Sequence, residues 1–288
     1  MNKQAGVKKG IPYRGIEWTD YTSNPMGGCL HGCRWEMPDG SVAVCYAEDT
    51  ANGAASKAYP DGFEHYYWRP QEMDSWRNLP AGSKVFVGSM ADCFGRWVPE
   101  EHILLMLDRM AMHPTVTFQL LTKNPRRATR FTFPSNTWVG ASTPPSYMTK
   151  GHNPLGATPE NQLTEVQRSA QMLVAMQALA EIRTKGTTTF LSAEPLNIDV
   201  DNYLSNRVRH LILEGEYPTT PHKEDYDQPI DWLIVGAASN GRKKYLPDEA
   251  LLSRTVAMAK GLGMKVFYKG NLKESPYAAS NWLEEFPA

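Results

Sequence analysis

The sequence predicts an α/β protein whose strands form a partial or complete parallel (β/α) barrel. The chain has 288 residues, of which 41% are apolar and 10% aromatic, so it can bury the core of one large domain, residues 1–288. Seven short apolar or β-branched runs recur along it with helical segments between them. This alternation indicates parallel pairing through right-handed crossovers. A doubly wound open sheet is the structural alternative.

The apolar runs read as strands that are buried on both faces. They cover residues 16–21, 84–89, 115–121, 137–142, 187–192, 231–236 and 264–268. Two stretches, 143–162 and 197–229, interrupt the alternation and are longer than typical connections, so we expect insertions or substrate loops there.

Three covering helices are predicted from apolar residues at helical spacing. The first, 99–112, begins with a proline followed by two glutamates, which suit a helix N-terminus. The second, 164–185, and the third, 247–262, are each followed by a glycine that can end a helix.

The composition excludes several classes of protein but does not identify the function. The apolar content excludes disordered and collagen-like chains. Basic and acidic side chains number 30 and 31, which argues against a protein that coats nucleic acid by charge alone. No apolar run approaches the ~20 residues that span a bilayer, and residues 1–10 lack the apolar stretch of a signal peptide. We therefore expect a cytoplasmic protein that makes no membrane contact.

Three of the four cysteines, Cys29, Cys33 and Cys45, crowd into one early segment. The first two form a C-x3-C pattern in a glycine-rich loop after the first predicted strand, and Cys45 opens a segment that looks helical. Three thiolates near one helix start suit an iron–sulfur cluster. Zinc is the main alternative, with His31 or Cys93 as a fourth ligand. Buried or free thiols are the third interpretation.

Polar residues follow the predicted strands, where the active site of a parallel barrel lies. Serines and glycines there are also common strand terminators. Lys123 and Glu194 are harder to explain in that way, because each adjoins a hydrophobic strand and precedes Asn-Pro or proline. Together with Tyr268 they are the candidate catalytic residues.

Two basic clusters follow later strands and could hold phosphates of a nucleotide or an extruded base. Solvated helix faces are the alternative. The aromatic segment 63–68 offers a stacking surface, although such residues are more often core. The clusters are Lys123, Arg126, Arg127 and Arg130, and Arg242, Lys243 and Lys244.

Segments along nearly the whole chain resemble the phage-associated three-cysteine-motif family. They are IEWTDYTSNPMGGC at 16–29, CYAE at 45–48, VFVGSMADCF at 85–94, LLTKNP at 120–125, WVGAST at 138–143, FLSAEPL at 190–196, DWLIVGAAS at 231–239 and VFYKG at 266–270.

That family is similar to the radical S-adenosylmethionine (SAM) superfamily, most nearly to enzymes of the spore photoproduct lyase type, which act on thymine. The resemblance implies a radical SAM barrel in which Cys29, Cys33 and Cys45 ligate three irons of a [4Fe-4S] cluster and SAM chelates the fourth. An external electron donor then drives release of a 5′-deoxyadenosyl radical, which abstracts hydrogen from the substrate.

The resemblance also assigns the polar residues after the strands. Tyr46 would be the aromatic neighbour of the cluster, and Ser89 to Asp92 would bind the methionine moiety of SAM. Ser142 would lie near the ribose. The residues that would face SAM or substrate are Ser192, Glu194 and Gly236.

The cysteine spacing departs from the C-x3-C-x2-C of the superfamily, because eleven residues separate Cys33 from Cys45. The inserted segment contains the turn signature Pro38-Asp39-Gly40. It therefore predicts a small hairpin that returns Cys45 to the cluster. Cys93 is outside the matched set and is expected to be a core thiol.

The expected function is a radical SAM enzyme, an isomerase, lyase or base-modifying enzyme, that acts on a thymidine-derived nucleobase in phage DNA within the host cytoplasm. The alternative is a zinc-stabilised nucleic-acid-binding module without catalysis. The substrate and the oligomeric state are not given by the sequence.

Overall fold

A computed structural model describes residues 1–8, 11–150, 155–204, 229–241 and 243–288. Its centre is a sheet of eight strands that lie side by side in chain order. The first pair is antiparallel, and every later pair is parallel. The strands are β1 (Asn2–Lys3), β2 (Tyr21–Ser23), β3 (Lys84–Val87), β4 (Thr117–Thr122), β5 (Thr137–Ser142), β6 (Thr188–Ala193), β7 (Trp232–Val235) and β8 (Lys265–Tyr268).

Helices and short hairpins fill the connections. The helices are α1 (Tyr46–Asn52), α2 (Glu100–Ala111), α3 (Pro125–Ala128), α4 (Glu165–Thr184), α5 (Asp201–Leu204), α6 (Glu249–Gly261) and α7 (Pro276–Ser280). Single 3-10 segments lie at Ser56–Ala58, Pro70–Asn78, Pro159–Asn161 and Gly270–Leu272. Strand pairs outside the sheet are Ala5–Lys8 with Ile11–Arg14, Met26–Gly27 with Tyr67–Trp68, Arg34–Glu36 with Val42–Val44, and Ala238–Asn240 with Lys243–Tyr245.

The three predicted helices are confirmed, and local capping explains where two of them begin. Thr164 and Gln167 form a reciprocal capping box at the start of α4. Asp248 accepts a hydrogen bond from the backbone N–H of Leu251 at the start of α6. No helix in the described part of the chain combines the length and apolarity needed to cross a bilayer.

Six predicted strands are confirmed, but the first is wrong. Residues 16–19 lie outside any strand, with a turn at 17–18, and the strand is Tyr21–Ser23. Ile16 and Trp18 both pack in the apolar cluster inside the sheet. Their alternation with polar residues reflects this packing and not pairing with a neighbouring strand. The insertion 197–229 falls largely outside the described residues, as do residues 151–154 of the other.

The sheet curls until its inner face packs on itself. Ring centroids of Trp18 and Phe86 on β3 lie 4.7 Å apart, and those of Trp18 and Trp232 on β7 lie 6.2 Å apart. Strands four spacings apart would be separated by roughly 19 Å in a flat sheet. The sheet therefore bends around Trp18. The inner cluster also contains Trp138, Phe190, Ile234 and Phe267.

Helices α2, α4 and α6 cover the outer face of this sheet. Buried side chains of α2, α4 and α6 pack on outward residues such as Val87 of β3, Leu191 of β6 and Val266 of β8. A doubly wound sheet would reverse its strand order and carry helices on both faces, so that alternative is wrong. The fold is mixed α/β with a central, mostly parallel sheet.

The predicted barrel is not closed by backbone hydrogen bonds within the described residues. The outer edge of β8 pairs with the C-terminal segment, where Phe267 bridges Glu284. Phe286 in that segment packs on Phe267 and lies 4.6 Å from the ammonium of Lys84 on β3. Side chains thus span the gap between the two sides of the curled sheet.

Replacing Phe286 with alanine is expected to lower the free energy of unfolding by about 2 kcal/mol, because it removes aromatic contacts across this gap. Urea denaturation measures the change. Leu104→Ala removes an exposed side chain of α2 and should change stability by less than about 0.5 kcal/mol. Equal losses in the two variants would contradict a bridging role for the C-terminal segment.

Candidate functional site

The three clustered cysteines line a single cavity where β3, β4 and β5 end. We call it the thiol cavity. Cys33 is buried, and Cys29 and Cys45 are partly buried. The other residues that line it are His31, Tyr46, Ala47, Phe63, Phe86, Gly88, Ser89, Ala91, Asp92, Leu121, Thr122, Lys123 and Ser142. Carboxyl ends of parallel strands are where ligands bind in α/β proteins.

Backbone contacts hold the loop that carries Cys29. Gly28 has a φ of +81°, and a Cβ there would lie 1.8 Å from the carbonyl oxygen of His65, so only glycine fits. Its N–H donates to the carbonyl oxygen of Met90 at 3.0 Å, and the N–H of Cys29 donates to that of Phe63 at 2.9 Å. The first thiol is therefore attached to two neighbouring segments.

The predicted hairpin between Cys33 and Cys45 is confirmed. Strands Arg34–Glu36 and Val42–Val44 pair antiparallel, and Cys45 follows directly as the N-cap residue of α1. The guanidinium of Arg34 donates to both carboxylate oxygens of Glu48 at 2.7 and 2.6 Å and to the carbonyl oxygen of Cys33 at 2.8 Å. The side chain of Arg34 thus connects Cys33 to α1, the helix that Cys45 precedes.

Arg34→Lys is expected to lower the free energy of unfolding by about 1–2 kcal/mol. Lysine keeps the charge but cannot make the two-pronged contact with Glu48, which is only 17% exposed. Urea denaturation tests this expectation. Arg130→Lys is the matched control, because Arg130 pairs with Glu100 on the surface, where an ion pair contributes little. A smaller loss of unfolding free energy for Arg34→Lys than for the control would contradict a stabilising role for the contact between Arg34 and Glu48.

Asp92 is buried, and both of its carboxylate oxygens accept hydrogen bonds. Its Oδ1 accepts from the hydroxyl of Thr122 at 2.6 Å and the N–H of Phe94 at 3.0 Å, and its Oδ2 accepts from the N–H of Lys123 at 2.8 Å. The Nε2 of His31 lies 2.8 Å from Oδ2. Burial alone would raise the pKa of Asp92, but these partners outweigh it and lower that pKa. Asp92 thus lines the thiol cavity and positions the backbone of Lys123 and the ring of His31.

Lys123 places a cation beside the thiols. Its ammonium lies 3.2 Å from the hydroxyl of Ser142 and 5.5 Å from the ring centroid of Trp35. Burial opposes the charge, but the three cysteines as thiolates and Asp92 raise the pKa of Lys123 above its ordinary value. The cavity thus combines three sulfur ligands with a compensating positive charge.

Burial favours the protonated form of Cys29 and Cys33. Burial, followed by the neighbouring Cys33 and Asp92, raises the pKa of Cys29 well above its usual value. Burial likewise raises the pKa of Cys33 to about 12. A metal group that binds here must displace these protons, because thiolate is the ligating form.

A second cavity, the Glu194 cavity, lies beside the first and shares Tyr46 with it. Glu194 Oε2 is 2.5 Å from Lys269 Nζ, and Glu194 Oε1 accepts from the hydroxyl of Ser192 at 3.2 Å. A Cβ on Gly236 would lie 3.1 Å from Lys269 and 3.2 Å from Glu194, so the glycine leaves room for the pair. Ser192, Glu194 and Gly236, which were predicted to face SAM or substrate, therefore lie together at the ion pair of Glu194 with Lys269.

Tyr268 is not brought to either cavity, which corrects its place among the candidates. Strand β8 points Phe267 into the inner cluster and Tyr268 outward under α6. The ring packs on Trp282, and its hydroxyl is buried. Cys93 is likewise an outer core residue, packed behind Gly88, as expected.

Arg127 and three other members of the basic clusters have partners among the described residues, whereas Arg126 is exposed. Arg127 donates to the carbonyl oxygens of Gly95 and Val98. Three other cations are ion-paired: Arg130 with Glu100, Lys243 with Asp39, and Lys244 with Glu274. Arg242 lies outside the described residues. Residues 63–68 mostly pack as core, and Phe63 lines the thiol cavity.

Two further residues join the site that the sequence did not single out as candidates. Lys269 follows the last predicted strand directly, and that position was the available signal. Trp35 lies in the hairpin and lines the Glu194 cavity with one face turned to Lys123. Its place depends on the fold of the inserted hairpin, so no local pattern marks it.

The fold resembles that of a solved enzyme. Spore photoproduct lyase complexed with dinucleoside spore photoproduct superposes with a TM-score of 0.52 and 10% identity, covering 92% of this chain and 81% of that chain. A variant of that enzyme with bound AdoMet and dinucleoside spore photoproduct gives 0.49 and 9%, covering 88% and 78%. The first likeness establishes similarity of fold. No curated protein sequence matches the chain.

A family match covers most of the sequence. Residues 13–272 match the family described as "Protein of unknown function (DUF5131)". The matched range contains the three cysteines, both cavities and every strand of the sheet from β2 to β8. The chain belongs to the DUF5131 family.

Proposed function

We propose that the chain is a radical SAM enzyme that binds a [4Fe-4S] cluster through Cys29, Cys33 and Cys45 and acts on a nucleobase. The observation that carries the proposal is that three thiols line one cavity at the carboxyl ends of parallel strands. Similarity of fold to spore photoproduct lyase supports an enzyme of this type. A thymidine-derived base of phage DNA, in the host cytoplasm, is the substrate and setting that the family resemblance implies.

The donor set fits the cluster. Iron–sulfur clusters are held by cysteine thiolates, and the cavity supplies three. Of the two alternative fourth ligands, Cys93 packs behind Gly88, and His31 lines the cavity with its Nε2 2.8 Å from Asp92. Three protein ligands for four irons leave one iron for SAM.

The zinc alternative has less support. Zinc gathers four donors around one ion at about 2.0–2.3 Å. In the described ranges, no three His, Cys, Asp or Glu side chains are grouped closely enough to hold a single ion.

The cluster and SAM, when bound together, would supply a 5′-deoxyadenosyl radical for abstraction of a hydrogen atom. The chain's own residues bind, orient and shield. Lys123 offsets the negative charge of three thiolates, and Asp92 fixes the backbone of Lys123 and the ring of His31. The hydroxyls of Ser89 and Ser142 line the same cavity and can hold polar groups of SAM. Reduction requires an electron from an external donor.

Anaerobic purification tests the proposal. We expect brown protein with about four irons and matching sulfide per chain, and release of 5′-deoxyadenosine from SAM after reduction with dithionite. Elemental analysis distinguishes iron from zinc. Stoichiometric zinc, with no cleavage of SAM after iron–sulfur reconstitution, would overturn the proposal.

A further inference from the structure

The Glu194 cavity contains a largely buried ion pair that the thiol cavity does not use. Side chains of Lys269 and Glu194 are 27% and 17% exposed. Burying two charges costs more than apolar residues of similar size would, so such a pair is a weak means of stabilisation. Burial opposes the charge of Lys269, but Glu194 and then Glu17 raise the pKa of that ammonium. The ammonium therefore remains charged and lies as a donor beside the carboxylate oxygens of Glu194.

Both members of the pair keep hydrogen-bonding capacity toward a ligand. An ammonium has three protons, and a carboxylate has about four acceptor sites. In the described part of the chain, Lys269 is paired with one oxygen of Glu194, and the other oxygen accepts from Ser192. A ligand that offers an acceptor to Lys269 and an N–H to Glu194 can join the pair without breaking it.

The charge balance selects a neutral ligand. Lys269 and Glu194 sum to zero charge, and Glu17, the other carboxylate that acts on Lys269, accepts from the N–H of Gly270 outside the cavity lining. A charged ligand in contact with the pair would therefore leave one unbalanced charge. A neutral ligand with adjacent donor and acceptor atoms satisfies both partners. Amide-like edges of heterocycles have this arrangement.

The remaining walls suit a flat ring. Trp35, Met37, Val44, Pro195 and Ala237 are apolar or aromatic lining residues. The cavity has a volume of about 210 Å³, below the ~300–1,000 Å³ of clefts that hold drug-sized ligands. One heterocyclic ring is therefore a better match than a purine nucleotide.

The position of the cavity connects it to the proposed chemistry. Tyr46 lines both cavities, and the ring of Trp35 lies between the Glu194 cavity and the ammonium of Lys123. A ring bound against Glu194 would thus be one side chain away from the cavity that holds the three thiols. Such proximity is needed for direct transfer of a hydrogen atom.

We propose that the Glu194 cavity binds the base of a pyrimidine nucleoside, with Lys269 donating to a ring carbonyl oxygen and Glu194 accepting from a ring N–H. This inference rests on the proposed function for its place in a reaction. The binding itself needs neither cluster nor SAM.

Calorimetric titration of the full-length, metal-free chain with thymidine, N3-methylthymidine and adenosine tests the inference. We expect thymidine to bind and N3-methylthymidine to bind at least about tenfold more weakly, because the methyl group removes the N–H and leaves Glu194 without a partner. The double variant Glu194→Gln and Lys269→Met, which keeps the cavity neutral, should lose both binding and this preference. Lys260→Met removes a surface ion pair with Glu285 and should bind thymidine normally.

The outcomes separate this inference from the proposed function. Iron-containing chain that cleaves SAM but does not distinguish thymidine from its N3-methyl derivative would overturn the inference alone. Thymidine binding that depends on Glu194 in a chain that never retains iron would support the inference and overturn the proposed function. Adenosine that competes with thymidine and binds more tightly would assign the cavity to SAM and overturn the inference.

Discussion

Cys33→Ala is expected to reduce iron from about four atoms per chain to less than about one and to abolish release of 5′-deoxyadenosine. Cys33 is 5% exposed and forms the buried wall of the thiol cavity. Water cannot easily replace a thiolate at a buried position, so two remaining ligands should not retain the cluster. Iron and sulfide assays after anaerobic reconstitution, together with chromatography of the SAM products, provide the measurement.

Cys93→Ala is the matched control for this loss. Cys93 is also buried, at 2% exposure, but its sulfur packs in the outer core behind Gly88. The substitution should lower the free energy of unfolding by about 1–2 kcal/mol through the small cavity it leaves, while iron content stays near the native value. Retention of a full cluster by Cys33→Ala would contradict the ligand assignment, and so would loss of iron in folded Cys93→Ala.

The sequence was sufficient for those parts of the fold that local patterns control. Helix spacing and end signals located α2, α4 and α6, and the turn signature at Pro38-Asp39-Gly40 located the hairpin that returns Cys45. Clustering of the cysteines indicated that they would share a site. Each of these features depends on residues close together in the chain.

The features that could not be predicted depend on which face a strand presents and on distant partners. Strands buried on both faces carry no alternation of polarity, so the sequence could not show that Tyr268 points outward. Residues 16–19 resembled a strand because Trp18 fills the inside of the curled sheet. Arg130 and Lys243 form ion pairs with carboxylates that lie 30 and 204 residues away in the chain. The sequence alone could not show that these two cations are paired.

Asp92 is another residue whose partners are distant in the chain, and its substitution is expected to have a large effect on the free energy of unfolding. Its position after β3 suggested contact with a ligand, but His31 and Thr122, 61 and 30 residues away, saturate its oxygens. Asp92→Asn is expected to lower the free energy of unfolding by about 3 kcal/mol. The amide replaces an acceptor with a donor that faces donors, and it removes the charge that pairs with the imidazole.

The pH dependence of this effect distinguishes loss of the Asp92 carboxylate from a general packing defect. Because the folded-state pKa of Asp92 is lowered, its stabilisation is fully present above the unfolded-state value of about 3.9 and is lost as pH falls through the folded-state value. The stability gap between the native chain and Asp92→Asn should therefore be constant from about pH 5 to 7 and narrow below about pH 4. Urea denaturation across this range measures it, with the exposed Asp108→Asn as the control that should show no gap. A gap that is independent of pH down to acid unfolding would mean that the carboxylate charge is not what holds His31 and the Lys123 backbone in place.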